Sequence, residues 1–239
     1  MAIDDGQQSP KKFAVVLFRG FQALDVFGPL DILNMLSSYY APLELYVLAN
    51  TLDPVPTKAR AQGGYAMSQS IVPTHTFESA PRDIEVLLVP GGFGTRDRGN
   101  VQPAVDFVRS AFPRLRYLLT VCTGSALVAM SGVLDGRRAT SNKKAFAWVT
   151  SQGPNVQWVL EARWVTDGNV WTASGVSAGI DMAYTFVSEI YGEDIAQELA
   201  DRAEYTRQKD PSVDPFAKFA KMEVARGREN GRELGERGI

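Results

Sequence analysis

A single cysteine, Cys122, stands in a chain of 239 residues, and its surroundings are those of a presented nucleophile. Residues 116–121 (RYLLTV) are short, apolar and aromatic, as in a buried strand. Cys122-Thr123-Gly124-Ser125 follows at once, then the apolar run 126–130. Strand, small-residue turn and helix are the layout of a nucleophile elbow, which stands a side chain at the carboxyl end of a sheet near a helix N-terminus. The partial positive charge there favours thiolate over thiol. A lone intracellular cysteine is by default a small buried hydrophobe. The local context points instead to a functional thiol.

Asp25 is the candidate acid beside it. It lies in FQALDVFGP, with Leu24, Val26 and Phe27 around it. Apolar surroundings raise a carboxyl pKa and keep the group protonated. A protonated carboxyl beside a thiolate donates a charge-assisted hydrogen bond and can later pass a proton. The alternative is a helix N-cap, which aspartate fills well. Gly91-Gly92 lets backbone approach a ligand and can aim N–H groups at a developing anion, unless it is an ordinary turn. Thr123 offers a backbone N–H and a hydroxyl within reach of a substrate. His75, the only histidine, lies in a loop, and nothing local brings it over Cys122. Ser125 and Ser174 have no obvious base.

The elements that must position these groups alternate. Residues 13–18 (FAVVLF), 43–49, 84–89 (IEVLLV) and 117–121 read as strands, the first and third as continuous apolar runs covered on both faces. Helical spacing marks residues 24–36, with Leu30, Leu33 and Leu36 on one face. Further helices are expected at 103–112 with Pro103 in the first turn, at 143–150, at 177–191 and at 194–205. A short hairpin is expected around 65–72. Strands at 157–166 and 169–174 flank an Asp167-Gly168 turn. The pattern predicts one doubly wound, mostly parallel α/β sheet with helices on both faces over residues 13–216. Residues 1–12 read as a disordered arm and 217–239 as a tail, helical from Phe216 to about Arg226 and then disordered. In such sheets ligands bind outside the carboxyl ends of the strands, where Asp25, Gly91-Gly92 and Cys122-Thr123 all fall.

Composition narrows the function classes. Hydrophobic content of 45% supports a sizeable core, and 25 basic against 27 acidic residues give no electrostatic case for nucleic acid. One cysteine excludes an internal disulfide and fits a reducing compartment. One histidine with one cysteine is too little for a usual zinc site. The polar N-terminus lacks a signal-peptide core, and no apolar run approaches the ~20 residues of a membrane span. The expectation is a soluble cytoplasmic protein acting on a small molecule, with no nucleic acid or membrane partner.

Taken together, LFRGFQALDVFGPLDIL (17–33), LLVPGGFG (87–94), VCTGSALVAMSGVLDGRRAT (121–140), DGNVWTASGVSAGIDMAY (167–184), AEY (203–205) and DPF (214–216) resemble the ThiJ/PfpI superfamily. Within it they are most similar to the isocyanide (isonitrile) hydratase branch. The resemblance implies a flavodoxin-like fold, a homodimer, Cys122 as nucleophile, Asp25 as the acid against it, Thr123 as the residue following the nucleophile, and Gly91 and Gly92 as the turn lining the pocket. It implies conversion of isocyanides to N-formamides through a covalent thioimidate, with no cofactor. Two alternatives stand beside it: a non-enzymatic oxidation-sensing stress protein of the same superfamily, since an accessible low-pKa thiol oxidises readily, and glyoxalase III-type hydrolysis of methylglyoxal. The second is disfavoured because Asn142 stands where a histidine is expected. Phe93, Phe146 and Trp148 are the expected pocket walls.

Overall fold

The computed structural model describes residues 8–61 and 67–221. Its strands are β1 (Lys12–Val16), β2 (Glu44–Ala49), β3 (Val55–Pro56), β4 (Ser70–Ile71), β5 (His75–Thr76), β6 (Val86–Val89), β7 (Tyr117–Val121), β8 (Arg138–Ala139), β9 (Gln157–Trp158), β10 (Trp164–Asp167) and β11 (Val170–Ala173). Its helices are α1 (Ala23–Tyr39), α2 (Arg98–Ala111), α3 (Gly124–Met130), α4 (Phe146–Gln152), α5 (Val176–Tyr191) and α6 (Glu193–Arg202). Seven strands form one sheet in the order β10-β11-β7-β6-β1-β2-β5, parallel throughout except where β10 meets β11. This is the expected flavodoxin-like α/β architecture. α1 packs on α5 and α5 on α6, while α2, α3 and α4 pack in sequence as a second group.

Strand composition follows position. β6 is Val-Leu-Leu-Val and buried at every residue, as a central parallel strand between two helical layers must be. α2 carries Val101, Ala104, Val105 and Val108 on its buried face, the spacing of an amphipathic helix. Chain order reverses between β1 and β6: from β1 the chain moves outward to β2, then returns to the other side of β1. Loops leaving two such strands splay apart and open a crevice at their carboxyl ends. The segments leaving β1, β6 and β7 carry Asp25, in the first turn of α1, Gly91-Gly92 and Cys122.

Several expectations are corrected. The arm is docked from residue 8 onward: Arg116 donates to the Gln8 carbonyl at 2.7 Å, Ser9 Oγ to the Ile190 carbonyl at 3.1 Å, and Lys12 already belongs to β1. α2 begins five residues before Pro103, because Asp97 accepts from the Asn100 N–H at 3.1 Å and caps it there. Pro103 therefore lies in the second turn. The hairpin pairs Val55 with Ile71 and Pro56 with Ser70; part of the expected 65–72 segment lies outside the described residues. The strand expected over 157–166 is two, β9 and β10, and the turn before β11 is Gly168-Asn169, since Asp167 pairs with Val170. Residues 217–221 are helical, and the rest of the tail lies outside the described residues. Among the described residues no helix is long and apolar enough to cross a membrane.

Candidate active site

Cys122 has φ of +59°, a left-handed conformation that costs an ordinary residue roughly 1–2 kcal/mol. Three hydrogen bonds hold it there. Its N–H donates to the Ala173 carbonyl at 3.1 Å, continuing the β7–β11 ladder by one residue. Its carbonyl accepts from Ser125 Oγ at 3.1 Å and Ser141 Oγ at 2.9 Å, both buried. Strain maintained by its surroundings in this way is a mark of functional positions. Ser125 and Ser141 thus hold Cys122 in place. Ser174, the other serine considered, donates to Asp214 at 2.5 Å away from the thiol's own partners.

Asp25 is fully buried and faces Cys122. It is not the helix cap: Gln22 occupies that position, and the Asp25 side chain turns inward from the first turn of α1. One carboxyl oxygen accepts the Gly91 N–H at 3.0 Å, while the other makes no hydrogen bond to nitrogen or oxygen. Burial pushes the carboxyl pKa up to about 7, against smaller downward pulls from the Gly91 N–H and the Cys122 thiol.

The thiol departs from the sequence expectation. Burial, then the charge of Asp25, drive its pKa well above the ordinary thiol value. Opposing them are hydrogen bonds from the Thr123 N–H, the Asn142 side chain and the Thr123 hydroxyl. α3 has only seven residues, and a helix terminus contributes roughly 0.3–1 kcal/mol, less than the several kcal/mol that burying an ion costs. The resting group is the thiol, surrounded by donors that become useful once its proton leaves.

Gly91 and Gly92 are also reassigned. Their N–H groups are occupied, one by Asp25 and the other by Thr123 Oγ1 at 2.9 Å, so neither is free for a substrate anion. What the pair supplies is close approach: a Cβ on Gly91 would lie 2.4 Å from the Thr123 nitrogen, and Gly92 has φ of +136°. The Gln22 N–H donates to the Gly91 carbonyl at 2.8 Å and Thr95 Oγ1 to Thr123 Oγ1 at 3.1 Å, so three loops close on one another. His75 is excluded from this cluster. It lies on β5 at the far edge of the sheet, against Tyr46.

Asn142 lines a cavity of about 470 Å³ whose apolar walls include Leu24, Ile180, Phe216 and Phe219, and whose wall includes neither Cys122 nor Asp25. The expected walls lie elsewhere. Phe146 is buried against Trp158, and the guanidinium of Arg96 covers both Phe93 and Trp148. The two buried cations along the cavity, Lys143 and Arg163, are paired within the wall. Arg163 donates twice to Asp181, at 2.8 and 2.6 Å, and Asp181 also accepts from Tyr205 Oη and the Gln208 N–H. Lys143 donates to Thr140 Oγ1 and the Ala162 carbonyl and lies 3.7 Å from Asp214; burial pulls its pKa down to about 8 against the pull of Asp214. These contacts explain the AEY and DPF segments: Tyr205 and Asp214 anchor the chain after α6 to the buried acid–base cluster. Removing Asp181 leaves Arg163 buried without its main partner. The Asp181→Ala variant is expected to lose about 3–5 kcal/mol of unfolding free energy; a urea midpoint equal to that of the wild type would contradict this.

The left-handed cysteine after a central parallel strand, with a buried carboxyl from the first helix against it, agrees with the sequence comparisons. The pattern of the DJ-1/PfpI family matches residues 11–189, and the chain belongs to that family. It is 34% identical over 190 residues to isonitrile hydratase of Pseudomonas putida, a match covering 80% of this chain and 76% of that one. A THiJ/PfpI family protein from Pseudomonas syringae superposes with a TM-score of 0.71 at 28% identity, over 92% of this chain and 88% of that one. The HTH-type transcriptional regulator GbdR of Pseudomonas aeruginosa is 25% identical over 201 residues; this chain spans 84% of its own length there but about half of the regulator's, 52%. The relatives thus include both a hydratase and a regulator.

Proposed function

We propose that the protein is a cysteine-dependent isocyanide hydratase, converting R–N≡C and water to the N-formamide R–NH–CHO. One observation carries the reading. A buried thiol on a left-handed residue faces a buried carboxyl with a pKa of about 7, and the third neighbour is an amide, not an imidazole. The similarity to isonitrile hydratase supports it.

As the Cys122 sulfur bonds to the terminal isocyanide carbon, its proton passes to the Asp25 carboxylate. The lone pair left on that carbon takes the proton from Asp25, giving the thioimidate R–N=CH–S–Cys122. Water adds across the C=N bond, hydroxide to carbon and proton to nitrogen. Loss of the hydroxyl proton forms the formyl C=O as the C–S bond breaks, and that proton returns to sulfur. The covalent intermediate splits one difficult step into two. Thr123 and Asn142 stabilise the sulfur charge that appears in passing, and the cavity beside Asn142 receives the R group. Leu24 and Phe27 on α1 are each about half exposed, at 47% and 48%; such an apolar ridge supports a homodimer.

The oxidation-sensing alternative is weakened by the same burial, since peroxide reacts with the thiolate. The glyoxalase alternative is weakened by the position of His75. The test is to incubate the purified protein with phenyl isocyanide and follow N-phenylformamide, with methylglyoxal in parallel. Formamide produced over many turnovers is the expected result. No formamide above buffer, or lactate from methylglyoxal alone, overturns the reading.

A further inference from the structure

We propose that the cavity of about 470 Å³ binds a small molecule with an apolar body and one carboxylate, the carboxylate meeting the Lys144 ammonium at the rim. The charge of the wall points to this ligand. Among the described residues, those lining the cavity include three cations, Lys143, Lys144 and Arg163, and no aspartate or glutamate. Two of the three are answered from behind the wall. Arg163 pairs with Asp181 at 2.6 Å, and Lys143 lies 3.7 Å from Asp214. Lys144 is exposed and has no carboxylate partner among the described residues; its ammonium stands 5.2 Å from the centre of the Phe219 ring. Lys218, also exposed and without a carboxylate, stands 5.4 Å from the same ring. An aromatic face holds an ammonium in place but leaves its charge and its N–H donors unmatched. Two such groups therefore converge on one ring of the cavity wall.

The rest of the wall fits the apolar body. Leu24, Val176, Ile180, Phe216 and Phe219 line it, the two phenyl rings 6.3 Å apart and 14° from parallel. Leu24 and Phe216 are each about half exposed, at 47% and 49%, surface that a ligand would cover. An apolar wall with few polar groups around a volume of this size is the usual composition of a small-molecule site. A neutral ligand would desolvate Lys144 without compensation, whereas a carboxylate supplies a charge-assisted hydrogen bond. The cavity also adjoins the thiol through three segments. Leu24 precedes Asp25. Asn142 follows Ser141, whose hydroxyl donates to the Cys122 carbonyl, and Ser174 follows Ala173, whose carbonyl accepts the Cys122 N–H. On the hydratase reading, on which this last step rests, the substrates are isocyanides whose apolar R group ends in a carboxylate. The binding itself rests on the cavity alone.

Calorimetry of the full chain with 4-phenylbutyrate and with 4-phenylbutan-1-ol, its uncharged counterpart, tests the binding without turnover. The carboxylate is expected to bind on the order of tenfold more tightly than the alcohol, the effect of one hydrogen bond to a charged group. The Lys144→Gln/Lys218→Gln double variant is expected to lose that preference and keep the wild-type thermal midpoint, since both side chains are exposed. The Phe219→Leu variant is expected to bind both ligands more weakly. Equal affinity of the wild type for the two ligands, binding of neither, or a preference that survives in the double variant overturns the proposal. Competition against phenyl isocyanide then separates the two sources of such a carboxylate. Inhibition of formamide production by 4-phenylbutyrate, relieved by excess isocyanide, supports the carboxylate as the end of the substrate's R group. Binding without competition overturns that assignment and supports a separate apolar carboxylate as the occupant. Absence of formamide production would overturn the hydratase reading and leave the calorimetry decisive for the cavity.

Discussion

Replacing Cys122 with alanine is expected to reduce formamide production by about 10⁴-fold or more, to the uncatalysed background, because a covalent nucleophile acts with its neighbours as a unit. Burial of the resting thiol does not weaken this expectation. The donors around the sulfur, Thr123 and Asn142, act on charge that appears only as the proton leaves, and stabilisation confined to that moment raises turnover. Alanine keeps the left-handed strain at position 122 while removing the sulfur. Glycine removes both. The Cys122→Gly variant is therefore expected to unfold at a higher temperature than Cys122→Ala, by the equivalent of about 1 kcal/mol, with both inactive. If Cys122→Ala retains even a few per cent of wild-type turnover, the nucleophile lies elsewhere. If the two variants melt together, the φ of +59° is not a strained conformation in this setting.

Much of this arrangement was legible in the chain. The apolar run before Cys122 and the small residues after it mark a strand entering a helix, and the structure places β7, the cysteine and α3 in that order. Asp25 stood out because three apolar neighbours surround an acid, and it is buried. What could not be read was long-range. Nothing around Gly91 and Gly92 reveals that Asp25 and Thr123, 66 and 31 residues away in sequence, occupy their N–H groups. The break between β9 and β10 arises because Ala162 and Arg163 turn into a polar cluster completed by Lys143, Asp181 and Asp214. Local alternation of apolar residues carries no trace of partners that far away. The charge state of the thiol departs from the sequence expectation for a related reason: the helix terminus is visible in sequence, whereas the depth of burial that outweighs it is a property of the whole fold.

Replacing Asp25 with asparagine separates the carboxyl's geometry from its proton. The amide oxygen can still accept the Gly91 N–H and the amide nitrogen can face the thiol, but no proton can be relayed. Turnover is expected to fall by about 10²–10⁴-fold, the usual worth of a positioned acid–base group. The pH dependence should change with it. Asp25 must be ionised to receive the thiol proton, and its pKa is about 7, so wild-type kcat/KM should rise with pH through a midpoint near 7. The variant should lack that limb. Stability moves in the opposite sense. A carboxyl whose folded pKa is raised from 3.8 to about 7 binds its proton more tightly folded than unfolded. Its contribution is therefore fully present below about pH 4 and is lost as pH rises to about 7, with no further change above. The loss is on the order of 4 kcal/mol. Relative to wild type, the Asp25→Asn variant should gain stability across that window and hold the gain at higher pH. Denaturant unfolding of both proteins from pH 4 to 9 reads this directly. A stability difference that stays constant from pH 4 to 7, together with an acid limb that survives in the variant, would place the proton relay on another group.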